Sequence, residues 1–154
     1  MHNTEIERKF LLRDDSWRAL VTSSHEISQG YLALEGGNTV RIRRKDDRAF
    51  MTVKSRPEAG SITRFEWERE ITLEDFGALF PHCVSRPIVK TRHIVPIADG
   101  LVVEIDEFHG VHDGLVLAEI ELPAEDMHVD LPPFIGAEVT NDPRYYNSSL
   151  SLVH

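Results

Sequence analysis

Apolar and polar residues alternate with period two along most of the chain, the spacing of a β-strand whose two faces differ. Residues 4–12 give the first such run and residues 26–34 the second. Glu35-Gly36-Gly37-Asn38 reads as a turn. Residues 39–45 and 49–55 predict a hairpin around Asp46-Asp47, with a loop from Pro57 to Gly60 after it. Residues 63–72 predict a long strand, residues 87–96 and 101–108 a hairpin over Ala98-Asp99-Gly100, and residues 115–122 an eighth strand. Helical signals are few. Residues 14–22 suit a short helix with Asp14 or Asp15 as cap. Thr72 opens a second, with Asp75 as capping-box acid and Pro81 as the stop. Pro132-Pro133 introduces a short segment, and the tail from Arg144 suits a small helix. The expected fold is mainly β (α+β): an antiparallel barrel or sandwich with a few short flanking helices. No repeat, linker or low-complexity tract divides residues 1–154, so one domain is expected.

The polar side of the alternation is unusual. In a half-buried strand it faces water and carries varied residues. Here it carries full charges in pairs. Glu5, Glu7 and Lys9 share one face, because i, i+2 and i+4 align on a strand. Arg41 and Arg43 share a face, with Lys54 on the next strand. So do Glu66, Glu68 and Glu70, then Lys90 and Arg92, Glu104 and Asp106, and Glu119 and Glu121. The opposite faces carry Ile6, Val40, Ile42, Met51, Val53, Phe65, Trp67, Ile71, Val89, Val103, Ile105, Ile120 and Leu122. Arg8, Arg44, Arg69, His93 and Glu107 interrupt that apolar set and are expected near strand ends or edges.

Two arrangements compete. Either the charged faces lie outside on a solvated sheet, as charges usually do, or they line the cavity of a wide eight-stranded barrel. Acids and bases segregate by strand, whereas a solvated sheet more often mixes signs. Segregation suits a ligand with two chemical ends. Carboxylates are hard oxygen donors for Mg²⁺ or Mn²⁺, and Arg and Lys bind phosphate. The pattern alone leaves both arrangements open.

Bulk properties restrict partners. The net charge is −9 and the pI about 5.3, which argues against nucleic acid as a main partner while leaving room for a local cationic pocket. No apolar run approaches the roughly 20 residues that a membrane helix requires. The first nine residues are too polar for a secretory signal, and the single cysteine, Cys83, has no partner, so a cytoplasmic location is expected. His109 and His112 have only loop spacing, and His82-Cys83 are chain neighbours whose side chains point apart. No Walker loop or dinucleotide fingerprint is present.

Glu5-Ile6-Glu7-Arg8-Lys9 resembles the ExExK signature of the CYTH, or triphosphate tunnel metalloenzyme, superfamily. Gln29-Gly30-Tyr31-Leu32, the Arg41/Arg43 pair and Thr52-Val53-Lys54 resemble that family's next motifs. Arg64 to Glu68, Lys90-Thr91-Arg92, Glu104-Ile105-Asp106, Glu119-Ile120-Glu121 and Arg144-Tyr145-Tyr146-Asn147 follow in the family's order. The match spans nearly the whole chain and resembles the short bacterial branch.

The resemblance implies an eight-stranded antiparallel β-barrel forming a central tunnel that binds a linear triphosphate with divalent metal. Lys9, Arg41, Arg43, Lys54, Lys90 and Arg92 are then the expected phosphate ligands. Glu5, Glu7, Glu119, Glu121 and Asp106 are the expected metal ligands, directly or through water, and pairing with tunnel bases is expected for the acids as well. Glu66 and Glu68 would hold a second metal or orient the attacking water. Tyr31 is a candidate proton acceptor, since a nearby ammonium such as Lys9 favours a phenolate. Glu70 and Glu107 extend the acidic runs and are expected outside the tunnel. The expected reaction is metal-dependent hydrolysis of tripolyphosphate to pyrophosphate and phosphate. Adenylate cyclase or organic triphosphatase activity, and a non-catalytic polyphosphate or nucleotide sensor, are the alternatives. A homodimer through the apolar outer wall fits the pattern.

Overall fold

The computed structural model describes residues 3–152. Residues 1–2 and 153–154 of the expected domain lie outside the described residues. The strands are β1 (Thr4–Leu12), β2 (Ser23–Glu35), β3 (Asn38–Lys45), β4 (Arg48–Lys54), β5 (Thr63–Ile71), β6 (Ile88–Pro96), β7 (Val102–Phe108), β8 (Val116–Glu121) and β9 (Ile135–Glu138). All pairings are antiparallel in the order β5-β4-β3-β2-β6-β7-β8-β1-β9, and a further β5–β1 pairing closes eight strands into a barrel. One edge of β1 pairs with β8 from Glu7 to Leu11. Its other edge pairs with β5 at Thr4–Ile6, then with β9 at Phe10 and Leu12. β1 therefore both closes the barrel and carries the ninth strand.

Local chemistry sets the turns. Gly36 and Gly37 take φ of 60° and 84° between β2 and β3, a left-handed backbone that L side chains resist. Asp46 takes φ 54° between β3 and β4, and its carboxylate accepts from Glu26 N and pairs with His25. Thr72 caps α1 (Leu73–Leu79) by accepting from Asp75 N. The expected helix over 14–22 is a 3₁₀ turn at Ser16–Leu20. Asp14 accepts from the Ser16 backbone and hydroxyl, while Asp15 takes the N-cap position without a side-chain bond. The tail helix is α2 (Asn147–Leu150), preceded by a 3₁₀ turn at Pro143–Tyr145.

Because charges point inward, the apolar packing lies mainly between the barrel wall and what covers it. Phe10, Trp17, Val95, Val103, Ile105, Ala118, Ile120, Phe134 and Ile135 form the largest cluster, on the outer face of β6, β7, β8 and β1. Ile42, Ala49 and Phe76 hold α1 against β3 and β4. A third cluster sits inside. Ile88, Phe108 and Leu117 share strand faces with Lys90, Asp106 and Glu119, and Leu150 of α2 packs on them with Leu11 and Tyr145 alongside. The interior is thus apolar at the end where the tail enters and charged elsewhere.

The polar residues on the outer wall pair locally. Arg8 forks onto Glu138 of β9 at 3.0 and 2.8 Å. Arg18 and His93 both reach Glu107, at 3.1 and 2.9 Å. Arg8 and His93 are therefore mid-strand residues of β1 and β6, each strand flanked on both sides and each residue neutralised by partners from neighbouring elements, and not at strand ends or edges as their interruption of the apolar pattern implied. Arg44, by contrast, donates to Asp46 O at the β3 end. Glu107 lies outside the tunnel, and Glu70 ends its run in an exposed pair with Arg48. Among the described residues no helix is long and apolar enough to cross a membrane.

Candidate active site

The inward faces enclose a cavity of about 410 Å³. Its lining includes Glu5, Glu7, Lys9, Tyr31, Arg41, Arg43, Lys54, Glu66, Glu68, Lys90, Arg92, Glu119 and Glu121. Every site residue expected from the sequence reaches it except Asp106. Period-two alternation brings each pair to the interior, and cross-strand register sets who meets whom. Arg41, Thr52 and Glu68 stand opposite one another on β3, β4 and β5, as do Thr39, Lys54 and Glu66 one rung away.

Cations and carboxylates share the space unevenly. Lys54 Nζ donates to both oxygens of Glu5 at 2.9 and 3.0 Å and lies 3.4 Å from Glu66. Lys9 Nζ donates to Tyr145 O at 2.9 Å and lies 3.5 Å from Glu119. Arg92 donates to both oxygens of Asp106 at 2.8 Å, to Glu104 at 3.0 Å, and lies 3.7 Å from Glu119. Lys90 Nζ sits 2.8 Å from Asp106. Asp106 is fully buried behind these two cations, and both its oxygens are taken. In this arrangement it pairs with Lys90 and Arg92; the family resemblance had implied a metal ligand at this position. Its depth along the strand is something periodicity does not encode.

Two guanidiniums are poorly compensated. Arg41 Nε and Arg43 Nε are buried without a hydrogen-bond partner among the described residues. Among the described residues the one carboxylate within ion-pair distance of either guanidinium is Glu68, at 3.9 Å from each, and Arg41 adds a bond to Thr52 Oγ1 at 3.3 Å. Desolvation, with repulsion from Arg41 and Arg92, lowers the Arg43 pKa to about 10. Orphaned buried donors on charged groups are costly unless an acceptor arrives. An anion in this cavity would supply one.

The complementary deficit lies among the acids. Glu5, Glu7, Glu119 and Glu121 come together where β1 meets β8, Glu7 directly opposite Glu121. Glu5 and Glu119 have cationic partners, while among the described residues Glu7 takes part in no ion pair. Desolvation, then the charges of Glu119 and Glu5, push the Glu7 carboxyl well above the usual range. Desolvation and Glu5 likewise raise Glu121. Glu119 is held down at about 2: burial opposes this, but Lys9, Arg92 and Lys90 outweigh it. Among the described residues no group of three or more His, Cys, Asp or Glu is already arranged to hold a metal ion. The donor set nevertheless fits a hard divalent cation, since an under-neutralised group of carboxylates attracts one.

Tyr31 lines the cavity and is 5% exposed. Its backbone is clamped from outside: N donates to Ser85 Oγ at 3.0 Å and O accepts from Val84 N at 2.8 Å. Gly30 permits this approach, because a Cβ there would stand 2.7 Å from Cys83 Sγ. The expected site residues left out several that line the cavity. Thr39, Thr52, Arg56, Arg64 and Glu104 line the cavity, as do Thr140, Asn141, Tyr146, Asn147 and Ser148 of the tail. Strand parity with Arg41 and Lys54 was enough to find Thr39 and Thr52. Tyr146 and Asn147 stand in the C-terminal motif that carries the resemblance, but their placement at the cavity depends on α2 packing inside the barrel.

Known proteins match this chain along nearly its full length. An inorganic triphosphatase of Acetivibrio thermocellus is 36% identical over 95% of this chain and 92% of its own. One from Nitrosomonas europaea is 37% identical over 97% of each. A crystal structure of an inorganic triphosphatase superposes with a TM-score of 0.66 at 35% identity, covering 97% of this chain and 95% of that one. A protein from Pyrococcus furiosus shares the fold at 18% identity, with a TM-score of 0.63 over 79% and 80% of the two chains. The model of the CYTH domain matches residues 3–153, and with the barrel, the inward charges and the ExExK strand in place, the chain belongs to the CYTH domain family.

Proposed function

We propose that this chain hydrolyses a phosphoanhydride of a linear triphosphate, with inorganic tripolyphosphate as substrate and pyrophosphate and phosphate as products. One observation carries the reading: two under-compensated buried guanidiniums and an under-neutralised carboxylate cluster share one cavity. A polyanion accompanied by cations compensates both. The inorganic triphosphatases at 36% and 37% identity support the same substrate class.

Membership of the family implies a divalent metal, and Mg²⁺ or Mn²⁺ suits the oxygen donors. Glu5, Glu7, Glu119 and Glu121 would hold it, and when bound it supplies Lewis-acid polarisation of phosphoryl oxygens. Arg41, Arg43, Lys54, Lys90 and Arg92 neutralise the remaining oxygens and hold the phosphorus in line. Water adds to a terminal phosphorus, the bridging P–O bond breaks, pyrophosphate leaves, and one proton must be accepted. Glu66 suits that task. Desolvation and the charge of Glu5 raise its pKa to about 7, so it is a base matched to neutral pH. Glu68, fixed by the Thr52 hydroxyl at 2.6 Å, orients the guanidiniums. Tyr31 and Lys9 shape the same wall. Lys9 stays cationic there: burial opposes its charge, but Glu119, Glu7 and Asp106 raise its pKa.

The test is phosphate release from tripolyphosphate, ATP and pyrophosphate, with and without Mg²⁺ or Mn²⁺. Metal-dependent release from tripolyphosphate, abolished by Glu7→Ala, is expected. Cyclic AMP plus pyrophosphate from ATP would instead establish a cyclase. Tight tripolyphosphate binding without turnover in either metal would establish a sensor.

A further inference from the structure

The tail enters the barrel as Tyr145–Leu150 and is fixed at several points. Tyr145 O accepts from Lys9 Nζ, Leu150 packs on Ile88, Phe108 and Leu117, and Ser151 O accepts from Arg86 N at 2.9 Å. Asn147 sits within this segment and lines the cavity. Its Oδ1 accepts from Lys90 Nζ at 3.1 Å and from Gln29 Nε2 at 3.4 Å.

These contacts settle which way the amide faces. A lysine ammonium can only donate, so the Asn147 atom beside it must be the oxygen. That oxygen is then committed, and the Nδ2 group carries two N–H donors without a protein acceptor among the described residues. The side chain borders a cavity whose wall already holds Lys9, Lys90 and Arg92. A neutral donor pair held at such a wall suits a phosphoryl oxygen.

We infer that Asn147 is a substrate-binding residue, its Nδ2 donating to a phosphate oxygen of the ligand while Lys90 and Gln29 hold its Oδ1. The inference rests on the phosphate reading of the cavity and deepens it. It also gives the tail a second task besides apolar closure, since it completes the anion site with a donor that adds no charge.

The experiment measures tripolyphosphate affinity by calorimetry in metal-free buffer, so that binding is read apart from hydrolysis. Asn147→Ala is compared with the parent chain, and the same change is made on Lys90→Met. Cooperative thermal unfolding checks folding of each variant. Asn147→Ala is expected to weaken binding about tenfold, the scale of one hydrogen bond to a charged group, in both backgrounds. If the loss disappears on Lys90→Met, Asn147 acts only through Lys90 and the inference is wrong. Should Lys90→Met not fold, Asn147→Asp decides: it keeps acceptors for Lys90 and Gln29 but removes both donors. Binding weaker than that of Asn147→Ala is expected, and affinity equal to the parent chain overturns the inference. A parent chain that binds tripolyphosphate without cleaving it would defeat the hydrolase reading and leave this one standing.

Discussion

The Thr52 hydroxyl donates to Glu68 Oε2 at 2.6 Å. The same oxygen of Thr52 accepts from Arg41 Nη2 at 3.3 Å, so one buried hydroxyl sets a base and an acid on neighbouring strands. Arg41, Thr52 and Glu68 are direct cross-strand partners, which makes the relay a consequence of register. Thr52→Val keeps the shape and removes the hydroxyl. It should lower kcat/KM for tripolyphosphate about tenfold, the scale of one hydrogen bond to a charged group. Thr52→Ser should restore most of the rate. Full activity in Thr52→Val would show that the relay is idle.

Asp106 separates anchoring from metal binding. It meets Arg92 through two 2.8 Å hydrogen bonds and Lys90 at 2.8 Å. Burial works against its charge, but Arg92 and Lys90 hold its carboxyl well below the usual range. Burial and repulsion from Arg92 meanwhile bring Lys90 down to about 8. Asp106→Asn leaves two buried cations short of an anion and should cost about 3–5 kcal/mol in urea unfolding. The metal concentration giving half-maximal rate should stay the same in Asp106→Asn and rise in Glu7→Gln. The reverse pattern would make Asp106 a metal ligand.

Arg43 predicts opposite signs for activity and stability. Among the described residues its buried Nε has no partner, and its one ion-pair contact, Glu68, lies 3.9 Å away. Arg43→Met should reduce kcat/KM on the order of a hundredfold, as expected for a lost charge-assisted phosphate contact. It should leave unfolding stability equal or higher, because an ill-paired buried charge is removed. A destabilised Arg43→Met would mean that the guanidinium serves the fold.

Two glutamates give opposite pH dependences of stability. Glu66 has a folded pKa raised to about 7 from an ordinary 4.5. Its contribution is fully present below the unfolded value and is lost as pH rises through about 7. Glu66→Gln should therefore gain stability over the parent chain between pH 5 and pH 8. Glu119 has a folded pKa lowered to about 2, so its contribution is present above 4.5 and is lost as pH falls through about 2. Glu119→Gln should be the less stable chain at neutral pH, with the gap narrowing as pH falls below 4.5. Chemical denaturation of both variants across this range checks the signs.

Much of the fold could be read from the alternation. Its eight expected strands are the eight strands of the barrel, displaced by at most a few residues, because hairpin turns such as Gly36-Gly37 and Asp46-Asp47 announce themselves chemically. The four residues of β9 passed unnoticed, since a strand that short has too few positions to show a period and forms only against the free edge of β1. The charged inner face was legible as pairs at i and i+2. The position of each pair along the cavity was not, and so Glu7 and Asp106 looked equivalent.

The sequence by itself determined which residues share a face, which strands carry acid and which carry base, and where the chain turns. These depend on neighbours a few residues apart. Tertiary structure alone decided that the charged faces point inward, because that requires β5 to close on β1 and apolar segments to cover the outer wall. It also decided that Asp106 is sealed behind Arg92 and Lys90, that among the described residues Glu7 forms no ion pair, and that Asn147 meets Lys90 from the far end of the chain. Each of these is a distance between segments remote in sequence, set by cross-strand register and by packing of the tail, and periodicity carries no information about either.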